Sequence, residues 1–369
     1  GLYEELIVLY PKKSSYSFTV KAKNYISITV KAPSNALAAE KIITATEDPI
    51  QVQQNELNIT FSIGMSMFPE NGIDFEMLYK NADIALYQSK EKGRNQFQFF
   101  TAEMQKITLR RMEIETNLRN ALERNELSVF YQPQVNAFNQ DIVGVEALIR
   151  WQHPVLGFVS PGEFIPIAED CGLIIPIGEW VLDQSIAQAK SWQNAGLKAI
   201  TMAVNLSPVQ FKENLLAASV KQKLEQHGLD PRYLELEITE SMAMHDVKLA
   251  IEITRQLKKL GVEISIDDFG TGYSSLAYLQ QFSLHKLKID QSFVQRMMES
   301  EENKNIVNTI ISLAKNLHLK TIAEGVETAE QLEFLKQKNC DEIQGYYFSK
   351  AITAEELEIL LKEKASFTI

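Results

Sequence analysis

Ile264-Ser265-Ile266-Asp267-Asp268-Phe269-Gly270-Thr271-Gly272-Tyr273-Ser274-Ser275 is the stretch around which the larger part of the chain is organised. Its first residues alternate apolar and polar, with β-branched side chains, which predicts a short buried strand. Two aspartates stand where this strand should end, and two glycines then favour a loop. Because consecutive strand side chains point to opposite faces, both carboxylates can serve one ligand only where the backbone leaves the strand. Taken alone, the aspartate pair fits a metal site and a solvated turn equally well.

Outward from this stretch, strand and helix patterns alternate from residue 127 to the end of the chain. The predicted strands cover residues 127–135, 143–151, 201–206, 234–239, 263–267, 286–290, 320–324 and 342–349. Helical patterns over 178–195, 208–227, 246–260 and 303–317 separate most of them. Eight strands in about 245 residues predict an α/β fold, a single (β/α)8 barrel. A doubly wound open sheet is the alternative, but the glycine-rich phosphate turn that it would prefer after its first strand is missing.

Polar side chains recur on or near the ends of seven successive predicted strands. They are Glu146, Asn205, Glu237, Glu240, Asp267, Asp268, Lys288, Asp290, Glu324, Glu327 and Gln344. Each alone has an ordinary explanation, such as a helix cap or a surface position. Gathered at one barrel mouth, however, so many carboxylates would repel one another unless cations lay among them. Oxygen ligands with almost no histidine favour Mg²⁺ or Mn²⁺ over zinc.

Composition narrows the classes of partner and compartment. The formal net charge of −11 argues against affinity for nucleic-acid polymers. Cys171 and Cys340 lack CxxC spacing, so we expect two buried thiols in a reducing compartment. No apolar run reaches membrane-spanning length, and the first residues show no signal-peptide pattern. We therefore expect a cytoplasmic location for this segment, with any sensor domain or membrane anchor upstream.

Several ordered motifs make residues 105–365 resemble an EAL domain, the cyclic-di-GMP phosphodiesterase barrel. The motifs are Glu146-Ala147-Leu148, Asn205-Leu206-Ser207, Glu237-Ile238-Thr239-Glu240, the stretch from Asp267 to Ser275, Lys288-Ile289-Asp290, Ala323-Glu324-Gly325-Val326-Glu327 and Gln344-Gly345-Tyr346. The resemblance implies a homodimer that forms through the barrel.

The resemblance also assigns roles to single residues. It implies two metal ions, Mg²⁺ or Mn²⁺, with ligands Glu146, Asn205, Glu237, Asp267, Asp268 and Glu324, of which Asp267 bridges both ions. Lys288 would orient or activate the attacking water. Substrate contacts would come from Gln132, Arg150, Asp290 and Gln344, and loop support from Glu240 and Glu327. The implied catalytic residues are Glu146, Asp267, Lys288 and Glu324.

Two functions are compatible with this resemblance. The first is hydrolysis of one 3′–5′ linkage of cyclic di-GMP, which yields linear 5′-pGpG. The second is a catalytically silent receptor that binds cyclic di-GMP and signals through a partner protein. Receptors of that kind usually lose metal ligands or the Asp-Asp loop, whereas this chain keeps Asp267 and Asp268. The sequence therefore favours the enzyme.

Residues 1–100 form a smaller predicted unit, with helical patterns over 36–46 and 75–92. The Pro69-Glu70-Asn71-Gly72 turn, Ala85-Leu86-Tyr87 and Lys92-Gly93-Arg94-Asn95 resemble the closing part of a GGDEF (diguanylate cyclase) domain. The signature hairpin would fall on Leu2-Tyr3-Glu4-Glu5, where bulky side chains replace both glycines. The resemblance thus implies a partial, degenerate α+β domain without cyclase activity. A helix over 101–124 would connect it to the barrel at 125–369.

Overall fold

The computed structural model describes residues 60–213, 215–270 and 276–363, together with 3–9, 16–21, 27–32, 39–40, 43–44, 50–52 and 55–57. The chain forms two compact units, Gly1–Ile114 and Glu115–Ile369. The predicted hairpin residue Leu2 and the loop 271–275 lie outside the described residues, as does most of the predicted helix 36–46. Among the described residues, no helix combines the length and the apolar character needed to cross a bilayer.

The described residues of the first unit form three small sheets. Its strands are β1 (Tyr3–Leu9), β2 (Tyr16–Lys21), β3 (Ser27–Ala32), β4 (Ile50–Val52), β5 (Asn55–Leu57), β6 (Phe61–Met67) and β7 (Phe97–Phe99). β6 pairs in parallel with β1 and β7, whereas β2–β3 and β4–β5 are antiparallel pairs. The helix Phe75–Glu91 begins at Asp74, whose side chain accepts a hydrogen bond from the Met77 N–H at 2.8 Å. A Cβ at Gly64 would lie 2.1 Å from the Ala82 carbonyl oxygen, so only glycine lets this helix approach β6 so closely.

The connecting helix is shorter than predicted. It spans Ala102–Leu118, and turns follow it up to residue 125. The reason is a change of hydrogen bonding, because the N–H groups of Asn120 and Ala121 donate to carbonyls three residues back. Within this helix Ile107 is 49% exposed, whereas Ile114 and Leu118 are buried.

The second unit is a closed barrel of eight strands. They are β8 (Leu127–Asn136), β9 (Ile142–His153), β11 (Thr201–Asn205), β12 (Leu234–Thr239), β13 (Glu263–Phe269), β14 (Lys286–Ile289), β15 (Lys320–Ala323) and β16 (Glu342–Ile343). β8 closes the barrel by pairing with both β9 and β16. The predicted (β/α)8 fold is confirmed, with one variation: β8 is antiparallel to its two neighbours. The connection between β8 and β9 is a short turn, which joins only antiparallel strands, whereas a parallel pair needs a longer crossover.

Helices surround the barrel. A short strand, β10 (Gly157–Val159), pairs in antiparallel fashion with the end of β9. The helices are Pro161–Asp170, Ile174–Asn194, Pro208–Phe211, Leu216–His227, Glu240–His245, Val247–Leu260, Leu276–Leu279, Gln291–Arg296, Glu301–Asn316, Ala329–Gln337 and Ala354–Lys362, with a 3₁₀ turn at Pro231–Tyr233. The predicted continuous helix over 208–227 is wrong. A capping box between Ser207 and Gln210 starts a one-turn helix there, and a second helix begins at Leu216.

The last predicted strand, 342–349, is also too long. β16 ends at Ile343, because the chain then turns against Val326: the Val326 N–H donates to the Gln344 carbonyl at 3.1 Å, and the Tyr347 N–H donates to the Val326 carbonyl at 2.9 Å. The prediction of two buried thiols is right for Cys340 and wrong for Cys171, which is partly exposed.

Candidate active site

The site begins at an irregularity in β13. The pairing register between β13 and β14 shifts between Ile266 and Phe269, and Asp268 has a left-handed φ of +54°. The Asp268 N–H donates to Asp267 Oδ1 at 2.9 Å. An extra residue in a strand bends it and re-aims the side chains, so these neighbouring carboxylates escape the strict alternation of a regular strand. The bulge thus makes a shared site for both aspartates geometrically feasible.

Lys288 is the centre of the site. Its side chain is fully buried, and Nζ lies 2.6 Å from Glu237 Oε2, 2.7 Å from Glu324 Oε1 and 3.2 Å from Asp267 Oδ1. Glu146 Oε1 is 3.9 Å away. These four carboxylates come from four different strands or strand ends, and together with Lys288 they form what we call the carboxylate ring.

Glu146 is held from two sides by amides. Asn205 Nδ2 donates to Glu146 Oε1 and Gln344 Nε2 donates to Glu146 Oε2, both at 2.6 Å. Gln344 Nε2 also donates to Gln132 Oε1 at 3.1 Å. Both acceptor oxygens of Glu146 are therefore oriented by neighbours that the sequence also placed in the site.

Burial and mutual repulsion shift the acidities within the ring. Burial opposes ionisation of Glu146, but Lys288 and the two amide hydrogen bonds outweigh it, so the pKa of Glu146 is lowered. Burial raises the pKa of Glu237 well above its usual range, and the charges of Glu146 and Asp267 add to this rise. Burial alone would lower the pKa of Lys288, but the surrounding carboxylates raise it, so this lysine remains a cation at neutral pH.

Two further carboxyls titrate near neutrality. Burial raises the pKa of Glu324 to about 8, with repulsion from Asp267 adding to the rise. Burial also raises the pKa of Asp268 to about 6, helped by the charges of Asp267 and Asp290. Both groups therefore exchange protons in a range where a nearby cation changes their ionisation.

A second charged layer lies below the ring and was missed by the sequence reasoning. Lys286 is buried and makes two ion pairs of 2.8 Å, with Glu235 Oε2 and Glu342 Oε2. The signal was present in the alternation of charged and apolar residues, because Glu235 precedes Glu237 by two positions and Lys286 precedes Lys288 in the same way. Side chains two apart on a strand share a face, so both layers point into the barrel.

A polar cavity of about 380 Å³ opens over the ring. Its lining includes six predicted site residues: Gln132, Glu146, Asp267, Glu324, Glu327 and Gln344. Gln291, Gln295 and Tyr346 also line it and were not predicted. Arg150 lines a neighbouring, mainly apolar cavity of about 280 Å³ that also includes Asn205. Asp290 caps the helix Gln291–Arg296 by accepting from the Ser292 N–H at 3.0 Å.

Glu240 contacts the start of the loop that follows β13. Its Oε2 accepts a hydrogen bond of 2.8 Å from the Gly270 N–H, and the glutamate is fully buried. Gly270 has a φ of +99°, a conformation that favours glycine. Glu240 therefore holds the last described residue before 271–275 by a charge-assisted hydrogen bond.

The donor set fits a hard divalent cation. Its predicted members offer carboxylate and amide oxygens, the ligands that Mg²⁺ prefers, and Glu237 Oε1 is buried without a hydrogen-bond partner among the described residues. Across that same described part of the chain, no three His, Cys, Asp or Glu side chains already surround one common ion position. Lys288 Nζ lies between the carboxylates instead.

Comparison with known families agrees with this architecture. The family profile of the EAL domain matches residues 115–351, and that of the diguanylate cyclase GGDEF domain matches residues 26–96. The GGDEF match begins after residues 2–5, so the position inferred for the signature hairpin stays a prediction.

Two curated relatives illustrate the similarity. The bifunctional diguanylate cyclase/cyclic di-GMP phosphodiesterase MucR of Pseudomonas aeruginosa is 43% identical over 331 residues, covering 89% of this chain and 48% of MucR. The cyclic di-GMP phosphodiesterase PdeR of Escherichia coli is 36% identical over 320 residues, covering 87% of this chain and 48% of PdeR. This chain thus spans about half the length of these relatives.

Solved structures show the same barrel. The PaMucR phosphodiesterase in complex with c-di-GMP is 46% identical with a TM-score of 0.65, and the match covers 66% of this chain and 99% of that one. The FimX EAL domain from Pseudomonas aeruginosa bound to c-di-GMP is 28% identical with a TM-score of 0.60, covering 64% of this chain and 96% of that one. The EAL domain profile matches more than half of this chain, and the GGDEF profile matches a segment that precedes it. The chain therefore belongs to the EAL domain family.

Proposed function

We propose that the chain is a metal-dependent phosphodiesterase that hydrolyses cyclic di-GMP to linear 5′-pGpG. The observation that carries the proposal is the carboxylate ring beneath a polar cavity of about 380 Å³. Relatives named as cyclic di-GMP phosphodiesterases and a c-di-GMP complex of a similar barrel support the choice of substrate. An acidic pocket accepts an anionic dinucleotide only if cations offset its charge.

The ligands proposed for two divalent ions are those that the resemblance implies. Glu146, Asn205, Glu237 and Asp267 would hold one ion, and Asp267, Asp268 and Glu324 the other. When bound, such a pair would lower the pKa of the attacking water and would stabilise an in-line phosphoryl transition state.

Side chains of the chain itself would orient the attacking water and bind the substrate. Water adds to phosphorus, and the bond between phosphorus and the 3′ oxygen breaks, which leaves a 5′ phosphate and a 3′ hydroxyl. Lys288 remains protonated, so in this proposal it orients the attacking water by donating a hydrogen bond and does not act as the base. Gln132, Arg150, Asp290 and Gln344 remain the proposed substrate contacts.

A direct assay tests the proposal. The purified chain is incubated with cyclic di-GMP and Mg²⁺ or Mn²⁺, and the products are separated by chromatography. We expect linear 5′-pGpG in the presence of metal and none with a chelator. The alternative function, a silent receptor, is supported if calorimetry detects cyclic di-GMP binding while no product forms under any metal condition.

We expect the affinity for Mg²⁺ to rise as the pH increases from 6 to 9. Asp268 and Glu324 have pKa values of about 6 and about 8, so below those values each carries a proton that Mg²⁺ must displace. The rise should level off only when Asp268, Glu324 and Glu237, whose pKa burial also raises, are all ionised. Calorimetric Mg²⁺ titrations across this range measure the effect, and Glu324→Gln should remove the upper part of the rise. An affinity that does not change with pH would contradict these ligand assignments.

Glu240→Ala is expected to weaken Mg²⁺ binding by about 10- to 100-fold, the usual cost of losing a group that orients metal ligands. The reason is the lost hydrogen bond to the Gly270 N–H, two residues after Asp268. Glu240→Gln is the matched control, because its amide oxygen can still accept this bond. We also propose that a homodimer forms next to this loop, so light scattering accompanies each titration. Wild-type metal affinity in a folded Glu240→Ala protein would refute the loop-supporting role.

A further inference from the structure

A chain of three glutamine amides, two of them buried and one partly exposed, lies beside Glu146. Gln134 lies on β8, fully buried, and its Nε2 donates to Gln344 Oε1 at 3.2 Å. Gln344 Nε2 in turn donates to Glu146 Oε2 at 2.6 Å and to Gln132 Oε1 at 3.1 Å. Gln132 and Gln344 line the polar cavity, whereas Gln134 does not.

The carboxylate decides which way each amide points. An ionised glutamate only accepts hydrogen bonds, so the Gln344 atom that faces Glu146 Oε2 must be the nitrogen. The Gln344 oxygen must then face the opposite way, toward Gln134, and it needs a donor there. Gln134 Nε2 supplies that donor. The orientation of Gln344 is thus fixed from both ends, by Glu146 and by Gln134.

The surroundings of Gln134 leave its amide little freedom. Its Oε1 is buried without a hydrogen-bond partner among the described residues. Gly144 stands directly opposite on β9, and a Cβ at that position would lie only 2.8 Å from Gln134 Oε1. Turning the Gln134 amide would place its oxygen against the Gln344 oxygen, so the nitrogen stays directed at Gln344 even though the Gln134 oxygen has no partner among the described residues.

We propose that Gln134 is a positioning residue of the active site: it locks the Gln344 amide so that its nitrogen serves Glu146 and Gln132. The inference rests on the proposed function, since it gives Glu146 its role as a metal ligand. Without the Gln134 donor, the Gln344 oxygen is buried and unpaired, and the amide is held from the Glu146 side alone. An amide that is no longer fixed at its oxygen end directs its nitrogen at Glu146 Oε2 less precisely, which weakens one bond that orients this carboxylate.

Gln134→Leu tests the proposal because it removes the donor and keeps a side chain of similar size. Calorimetry without substrate should show Mg²⁺ binding weakened by about tenfold, the lower end of the cost of losing a partner of a metal ligand, because the variant removes the support of that partner, Gln344. The kcat for cyclic di-GMP should fall by about the same factor, with a smaller change in KM. Gln152→Leu is the matched control, because Gln152 is exposed near the end of the adjacent strand β9.

An NMR measurement tests this inference independently of the proposed function. In protein labelled at glutamine side-chain nitrogen, the NH₂ resonances of Gln344 should shift in Gln134→Leu and stay unchanged in Gln152→Leu. Gly144→Ala, which crowds Gln134 Oε1 and retains every amide, should reproduce the shift and serves if Gln134→Leu does not fold.

The possible results distinguish a failure of the proposed function from a failure of the role given to Gln134. If wild-type protein neither binds Mg²⁺ nor yields product, the proposed function is wrong, and the resonances of Gln344 still decide whether Gln134 orients it. If wild-type protein is active and folded Gln134→Leu keeps its Mg²⁺ affinity, its kcat and its Gln344 resonances, the positioning role is wrong.

Discussion

Asp267→Asn is expected to reduce the rate of cyclic di-GMP hydrolysis by about 1,000-fold or more, while the protein stays folded. Asp267 is the one residue proposed to serve both metal ions, and it lies 3.2 Å from Lys288 Nζ. Stabilisation of phosphoryl charge by bound metal amounts to several kcal/mol, and each 1.36 kcal/mol corresponds to a factor of ten in rate. Product chromatography and thermal unfolding together measure the effect.

The exposed Asp83 supplies the control for this experiment. Asp83→Asn makes the same chemical change on the helix Phe75–Glu91 of the first unit and should leave hydrolysis unaltered. Calorimetry should also show that Asp267→Asn binds Mg²⁺ more weakly. A well-folded Asp267→Asn protein with undiminished turnover would rule out the two-metal assignment.

Lys288→Met is expected to abolish hydrolysis and to lower stability by about 3–5 kcal/mol in metal-free buffer, the usual cost of removing one partner from a buried ion pair. The methionine leaves Glu237, Glu324 and Asp267 without their shared cation, although each lies within 3.2 Å of it at present. Added Mg²⁺ should restore much of the lost stability, because it would replace the missing positive charge. Denaturant unfolding with and without Mg²⁺ measures both effects.

Lys286→Met is the matched control, because Lys286 lies on the same strand, is equally buried and pairs with two carboxylates at 2.8 Å. It should destabilise the barrel in the same way but retain far more activity per folded molecule, and added Mg²⁺ should not restore its stability. If the two variants lose activity equally, the specific role of Lys288 in orienting water is wrong.

Much of the barrel was predictable because its pattern is local. All eight strand positions follow from short apolar runs, and their order along the chain leads to a closed barrel once helices separate most of them. Element ends were harder to predict. The end of β16 depends on backbone hydrogen bonds that Val326 makes with Gln344 and Tyr347. These residues are separated in sequence and come into contact only when the barrel closes.

The same distinction between local pattern and tertiary contact applies to the candidate site. Residue types and order along the chain were sufficient to predict the carboxylates, Lys288 and the Asp267-Asp268 pair as candidate site residues, because each stands on or next to a recognisable strand. Only the tertiary structure decided that β13 bulges at Asp268, that Lys288 Nζ lies among four carboxylates, and that Gln134 reaches Gln344 across 210 positions. The physical reason is that alternation assigns a side chain to a face, whereas distances between faces are set when strands close into a barrel and pack.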